Sequence, residues 1–176
     1  MIARLTGTVV TKGVDHIVLD VRDVGYKVSI PLSTYYDLPE IDASVSVFVH
    51  TYVREDTFQL FGFLTLDERD LFDALLRVTK VGPKLALAML SGLAAGDLQQ
   101  AIIAGDVPRL SAVPGVGRKT AERIILELRE KLAKGQPELR DGMRARGTAH
   151  TVVSDAATAL QNLGYSRLVA ERALRQ

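Results

Sequence analysis

The feature that most constrains this chain is an internal repeat. Shifted by 35 positions, Leu75, Val78, Val81, Gly82, Lys84, Ala86 and Leu93 fall on Leu110, Val113, Val116, Gly117, Lys119, Ala121 and Leu128, and all seven pairs are identical. The simplest source of such self-similarity is one supersecondary unit used twice. Leu71, Leu75, Leu76 and Val78 are helically spaced before the first Val-Gly-x-Lys. Ile124, Ile125, Leu128 and Leu132 are helically spaced after the second. Each copy therefore reads as helix, tight connection, helix. Leu98, Ile102 and Ile103 mark a further helix between the copies, and Pro83, Pro108 and Pro114 punctuate the run.

The connections carry a definite chemistry. Copy one reads Thr79-Lys80-Val81-Gly82-Pro83-Lys84-Leu85-Ala86, and copy two Pro114-Gly115-Val116-Gly117-Arg118-Lys119-Thr120-Ala121. Glycine permits a tight turn and a close approach of backbone to a ligand. The helix that follows opens with unpaired N–H groups and the positive end of its dipole, which suits an anion. Lys84 and Lys119 place full charges beside those groups. No set of base-reading side chains accompanies them, so the unit suits a backbone phosphate held without sequence preference. Two other readings stand beside this one. Gly82 and Gly117 could simply turn the chain between packed helices. Residues 115–120 also resemble a phosphate-binding ATPase loop, but that motif needs glycine directly before Lys-Thr, where Arg118 stands.

Upstream of the repeat, residues 1–64 read as β structure. Ile17-Val18-Leu19-Asp20-Val21 is β-branched, while residues 26–30 and 45–50 alternate. Five strands are expected near 2–11, 15–22, 26–31, 45–53 and 57–64. Turns are expected at Gly13, at Asp23-Val24-Gly25 and at Glu55-Asp56, and a short helical turn at 33–38. Five strands with a helix after the third is the order of an OB-fold barrel, though many small barrels share the pattern. Downstream, Gly135-Gln136-Pro137 ends the helical region and residues 135–152 read as linker. Ser154-Asp155 starts a short helix, Leu163-Gly164-Tyr165-Ser166 breaks it, and a second helix follows.

Charge and composition narrow the partners. Residues 1–64 carry a net −3, and the stretches 65–135 and 136–176 carry +2 each. Residues 77–90 hold Arg77, Lys80 and Lys84 with no acid, and 107–134 hold 7 basic against 3 acidic residues. Local basic patches on a nearly neutral chain fit contact with a polyanion at defined places. With no cysteine and three scattered histidines, there is no disulfide framework, thiolate site or H-E-x-x-H motif, and no metal or cofactor is expected. Asp15, Asp20 and Asp106 form no recognisable ligand cluster and read as solvated or capping. No apolar run nears the length of a membrane helix and the N-terminus lacks a signal peptide, so the expectation is a soluble cytoplasmic protein.

Several stretches together resemble the RuvA family, the Holliday-junction-binding subunit of the bacterial branch-migration complex. They are Met1-Ile2-Ala3-Arg4-Leu5-Thr6-Gly7, Val24-Gly25-Tyr26, Val53-Arg54-Glu55-Asp56, Leu60-Phe61-Gly62-Phe63, Val81-Gly82-Pro83-Lys84 and residues 114–123. The resemblance runs in order along nearly the whole chain. It implies a multidomain β plus α protein with an N-terminal OB-fold barrel (1–64), a tandem helix-hairpin-helix DNA-binding domain (65–142), a flexible linker (143–152) and a partial C-terminal helical domain (153–176). It implies that Gly82, Lys84, Gly115, Gly117, Arg118, Lys119 and Arg123 grip duplex phosphates. Glu55 and Asp56 match an acidic pin at the junction centre, where carboxylates would repel straying phosphates; from their residue types alone they are an ordinary solvated turn. Four-fold tetramers, pairing into octamers, are implied, with the RuvB ATPase and the RuvC resolvase as protein partners. Leu160, Leu163, Tyr165, Ala170 and Leu174 would offer the apolar surface for the motor. One departure is the third C-terminal helix of the family, absent before Gln176; it implies either an incomplete chain or weakened motor binding.

Three function classes remain open at this point. One is a non-enzymatic scaffold for DNA structure that recruits a motor. Another is a nuclease or glycosylase anchored by the hairpins. The third is a protein-binding adaptor whose barrel has lost nucleic-acid binding.

Overall fold

The computed structural model describes residues 1–134 and Val169. The chain divides into two compact units, residues 1–133 and 134–176. Apart from Lys134 and Val169, the second unit lies outside the described residues, and with it the expected linker, the C-terminal helices and the five apolar residues between Leu160 and Leu174.

The first unit opens with β1 (Arg4–Lys12), β2 (His16–Val21), β3 (Val24–Ser29), α1 (Leu32–Asp37), β4 (Ser44–Arg54) and β5 (Thr57–Phe63). The strands close into a barrel in the order β1-β2-β3-β5-β4, with β4 returning to β1. All pairings are antiparallel except β3 with β5. Closure leaves no unpaired sheet edge. Strand alternation sends Ile17, Leu19, Val47 and Val49 inward, where they meet Leu5, Val9, Val28, Ile30 and Leu60. Leu38, just beyond α1, also joins this core. Gly7 sits where β1 crosses β2: a Cβ there would lie 2.2 Å from the Asp20 carbonyl oxygen, so no larger residue fits without separating the strands. Both the barrel order and the helix after the third strand are those expected.

One turn is displaced from expectation. Val24 and Gly25 belong to β3, paired with Val21 and Asp20. The turn itself is Arg22-Asp23, with φ of 54° and 66°. Left-handed backbone at both central residues is the hairpin geometry that matches strand twist. The Asp20 carboxylate supports it, accepting from the Asp23 N–H at 2.8 Å.

The helical part follows as α2 (Leu66–Leu76), α3 (Pro83–Gly92), α4 (Ala95–Ala104), α5 (Val107–Ser111) and α6 (Arg118–Lys134). Thr65-Leu66-Asp67-Glu68 starts α2 with a capping box: the Thr65 hydroxyl accepts from the Glu68 N–H, and the Glu68 carboxylate accepts from the Thr65 N–H. Glu68 also accepts from the Ser33 hydroxyl of α1 at 3.0 Å, and the Leu32 N–H donates to Ser91 of α3 at 2.9 Å. Strand β5 serves two cores at once. Leu60 faces the barrel interior, while Phe61 and Phe63 join the helical core. Their rings lie 5.1 and 5.0 Å from that of Phe72 on α2. His50 of β4 adds a polar tie, its Nδ1 lying 2.6 Å from Asp73 Oδ1. Barrel and helices thus share buried aromatic surface, not merely a connecting peptide.

Candidate nucleic-acid interface

The two repeat copies form the same backbone device. In the first, the Val78 N–H donates to Leu75 O, Val81 to Val78 O and Ala86 to Gly82 O. In the second, Val113 donates to Leu110 O, Val116 to Val113 O and Ala121 to Gly117 O. Every one of these bonds maps onto its counterpart under the 35-residue shift. The residue types follow the same logic. Leu75, Val78, Val81 and Ala86 are buried, as are Leu110, Val113, Val116 and Ala121. Gly82, Lys84, Gly117 and Lys119 are exposed. The repeat therefore retains four apolar pairs that build the core and two exposed pairs that do not. Leu93 and Leu128 are matched in sequence alone: Leu93 ends α3 in extended backbone, whereas Leu128 lies inside the longer α6. Val78 is likewise a turn residue beyond the end of α2, buried without being helical.

The glycines divide into two kinds. The left-handed residues of the turns are Lys80 (φ 70°) and Gly115 (φ 88°), equivalent under the shift. Gly82, by contrast, has φ −99° and ψ 174°, extended backbone that other residues adopt readily. Gly117 is not in the left-handed region either, and a Cβ at Gly82 or Gly117 would meet nothing within 4 Å. So the turn does not need glycine at Gly82 or Gly117, contrary to the reading that they bend the chain. What their missing side chains provide is open space over the first turn of α3 and of α6.

The two hairpins are in contact. A Cβ at Gly115 would come 3.2 Å from Leu85 Cδ1 of α3. The Arg123 guanidinium donates to the Thr79 carbonyl of the first turn at 3.4 Å, so one of its groups ties the second hairpin to the first. Arg118 pairs with Glu122 one turn along α6, at 2.9 Å. Exposed Lys84 and Lys119 have no ion-pair partner among the described residues. Lys84 is the second residue of α3 and Lys119 the second of α6, where amides of the first helical turn lack intrahelical acceptors.

Glu55 and Asp56 form the two-residue turn between β4 and β5, with Arg54 opposite Thr57. Both are exposed, and Asp56 accepts from the Thr57 hydroxyl at 3.0 Å. The three other carboxylates considered for chemistry have local partners. Asp20 supports the β2–β3 turn, and Asp106 caps α5 by accepting from the Arg109 N–H at 3.0 Å. Asp15 lies 2.7 Å from His16 Nδ1, and this hydrogen bond holds its carboxyl below the usual carboxylate range. Among the described residues no group of three or more potential ligands is placed to hold a metal ion, and no single helix is long and apolar enough to cross a membrane.

A closed OB-type barrel sharing its last strand with a tandem helix-hairpin-helix repeat defines the structural class. Residues 1–62 match the RuvA N terminal domain, and residues 72–130 match the SAM-like Helix-hairpin-helix tandem. Relatives match over almost the whole chain. A protein of Syntrophotalea carbinolica is 51% identical over 99% of this chain and 88% of its own length. One from Geobacter sulfurreducens is 46% identical with the same coverage. One from Pelobacter propionicus is 50% identical over 94% of this chain and 83% of its own length. Each of these is named Holliday junction branch migration complex subunit RuvA. The chain belongs to the RuvA family.

Proposed function

We propose that this chain binds four-way junction DNA without sequence preference, holds it open, and recruits the RuvB ATPase for branch migration in recombination and repair. The hairpins grip backbone phosphates through Gly82, Lys84, Gly115, Gly117, Arg118, Lys119 and Arg123, in the domain spanning 65–142. The barrel, 1–64, carries Glu55 and Asp56 to the centre of a homotetramer, where eight carboxylates repel phosphates that enter; tetramers can pair as octamers. Leu160, Leu163, Tyr165, Ala170 and Leu174, beyond the linker at 143–152, contact the motor, and the RuvC resolvase joins the larger assembly. The chain itself is a non-catalytic, cytoplasmic subunit. Junction binding accords with the names of its relatives.

The observation that carries the phosphate reading is the pair Gly82 and Gly117. Each is glycine without a torsional or steric need inside the chain, and each stands two residues before an exposed lysine. A phosphate approaching the amides of that turn would meet a Cβ; glycine leaves the approach open. Gly82→Ala and Gly117→Ala should therefore fold normally and bind DNA more weakly. The test is a gel shift comparing a four-way junction with linear duplex of equal length, run beside thermal melts. Wild-type affinity in both variants would overturn this role for the glycines, and equal affinity of the wild type for junction and duplex would overturn junction recognition.

A further inference from the structure

Lys80 is the one place in the helical part, among the described residues, where a residue other than glycine holds positive φ, 70°. Its repeat partner is Gly115, at 88°, and three backbone hydrogen bonds around each turn match under the shift. Left-handed backbone crowds the Cβ of any L-residue against its neighbouring carbonyl. Asp and Asn tolerate it better, because a short polar side chain can hydrogen-bond locally; lysine has no such group. The turn geometry itself is thus better served by glycine, as the second copy demonstrates. Strain retained where an unstrained residue is available points to a role for the side chain.

The surroundings specify that role. Lys80 is exposed, as are Arg77 and Lys84, and residues 77–90 contain no carboxylate. Lys80 lies two residues before Gly82, whose Cβ position is open. The second hairpin carries no equivalent cation: glycine stands there as Gly115, and a side chain would need Leu85, whose Cδ1 lies 3.2 Å from the Cβ position, to give way.

Resting on the DNA reading above, we propose that Lys80 is a further phosphate-binding residue, held at the apex of the first turn. The geometry is kept at a cost to the fold because the ammonium group reaches a backbone phosphate; at the equivalent place the second hairpin has glycine.

The test uses the full chain and exploits the opposition between strain and charge. Lys80→Gly should raise the thermal midpoint by roughly 2–4 °C while weakening junction binding roughly three- to tenfold at low salt. The slope of log affinity against log salt should become shallower by about 0.9, the loss of one phosphate contact. Lys80→Ala removes the charge but keeps the left-handed strain, so it should match the glycine variant in binding without its gain in stability. Lys80→Arg should retain most of the affinity. A glycine variant that binds with unaltered affinity and slope would make Lys80 a turn residue only and overturn the proposal. Lys84→Ala and Lys119→Ala, measured in parallel, separate the two readings. If they flatten the slope and the Lys80 variants do not, the Lys80 proposal fails alone. If none of them does, the phosphate interface fails with it.

Discussion

Within four residues, Pro114-Gly115-Val116-Gly117 uses glycine for two unrelated reasons. Gly115 answers a demand of the fold: its φ is 88° and Leu85 crowds its Cβ position. Gly117 answers none. We therefore expect Gly115→Ala to destabilise the chain by about 1–3 kcal/mol, and Gly117→Ala to change stability by less than about 1 kcal/mol. Urea unfolding of the two variants checks the difference; equal losses would mean that the second hairpin needs both glycines for its own shape. In the sequence these residues look alike. Identity between copies singled out Gly82 and Gly117, yet the pair that reveals backbone strain is the one that differs, Lys80 and Gly115. Lysine has no left-handed signature, so its conformation could be read only from its glycine partner.

At the scale of elements, the capping box on α2 has a measurable weight. Replacing Thr65 by Ala removes the acceptor for the Glu68 N–H and should cost about 0.5–2 kcal/mol, seen as a lower denaturation midpoint. A midpoint equal to wild type would mean that the packing of Leu71, Phe72 and Leu75 holds this end of the helix unaided. The acidic turn between β4 and β5 should behave oppositely: Glu55→Gln with Asp56→Asn leaves an exposed hairpin turn intact. On DNA, that double variant should bind linear duplex more tightly while gaining less on the junction, so the junction-to-duplex ratio falls. The change should shrink as salt screens the repulsion. An unaltered ratio at low salt would reduce the pair to a turn. Elements of this kind were legible where physics is periodic. Alternation disclosed β3 and β4, β-branched residues disclosed β2, and apolar spacing disclosed α2, α4 and α6. The β2–β3 turn was misplaced by a residue or two because glycine drew it to Gly25, whereas the Asp20 carboxylate stabilises left-handed Arg22 and Asp23.

For the molecule as a whole, the change from alternating to helical spacing near residue 64 was plain in the sequence, but the shared core across it was not. Phe61 and Phe63 read as the end of a strand. Only the closed barrel reveals that they point away from its interior and onto Phe72. Phe72→Ala should accordingly cost about 3–5 kcal/mol and loosen both halves in one cooperative transition. Calorimetry showing two separated transitions in the wild type would contradict that coupling. An isolated fragment 1–64 should aggregate, since it would expose both rings. The contacts between hairpins, Arg123 with Thr79 and Leu85 against Gly115, have a consequence of another sort. They make the pair a ruler. On the DNA reading proposed above, two grips whose separation is set before binding should engage their second phosphate without a further ordering cost, and should favour a duplex whose groove matches that separation. B-form DNA and A-form RNA, whose minor groove is wide and shallow, should then differ in salt slope by about one contact, and equal slopes would mean that the pair measures nothing.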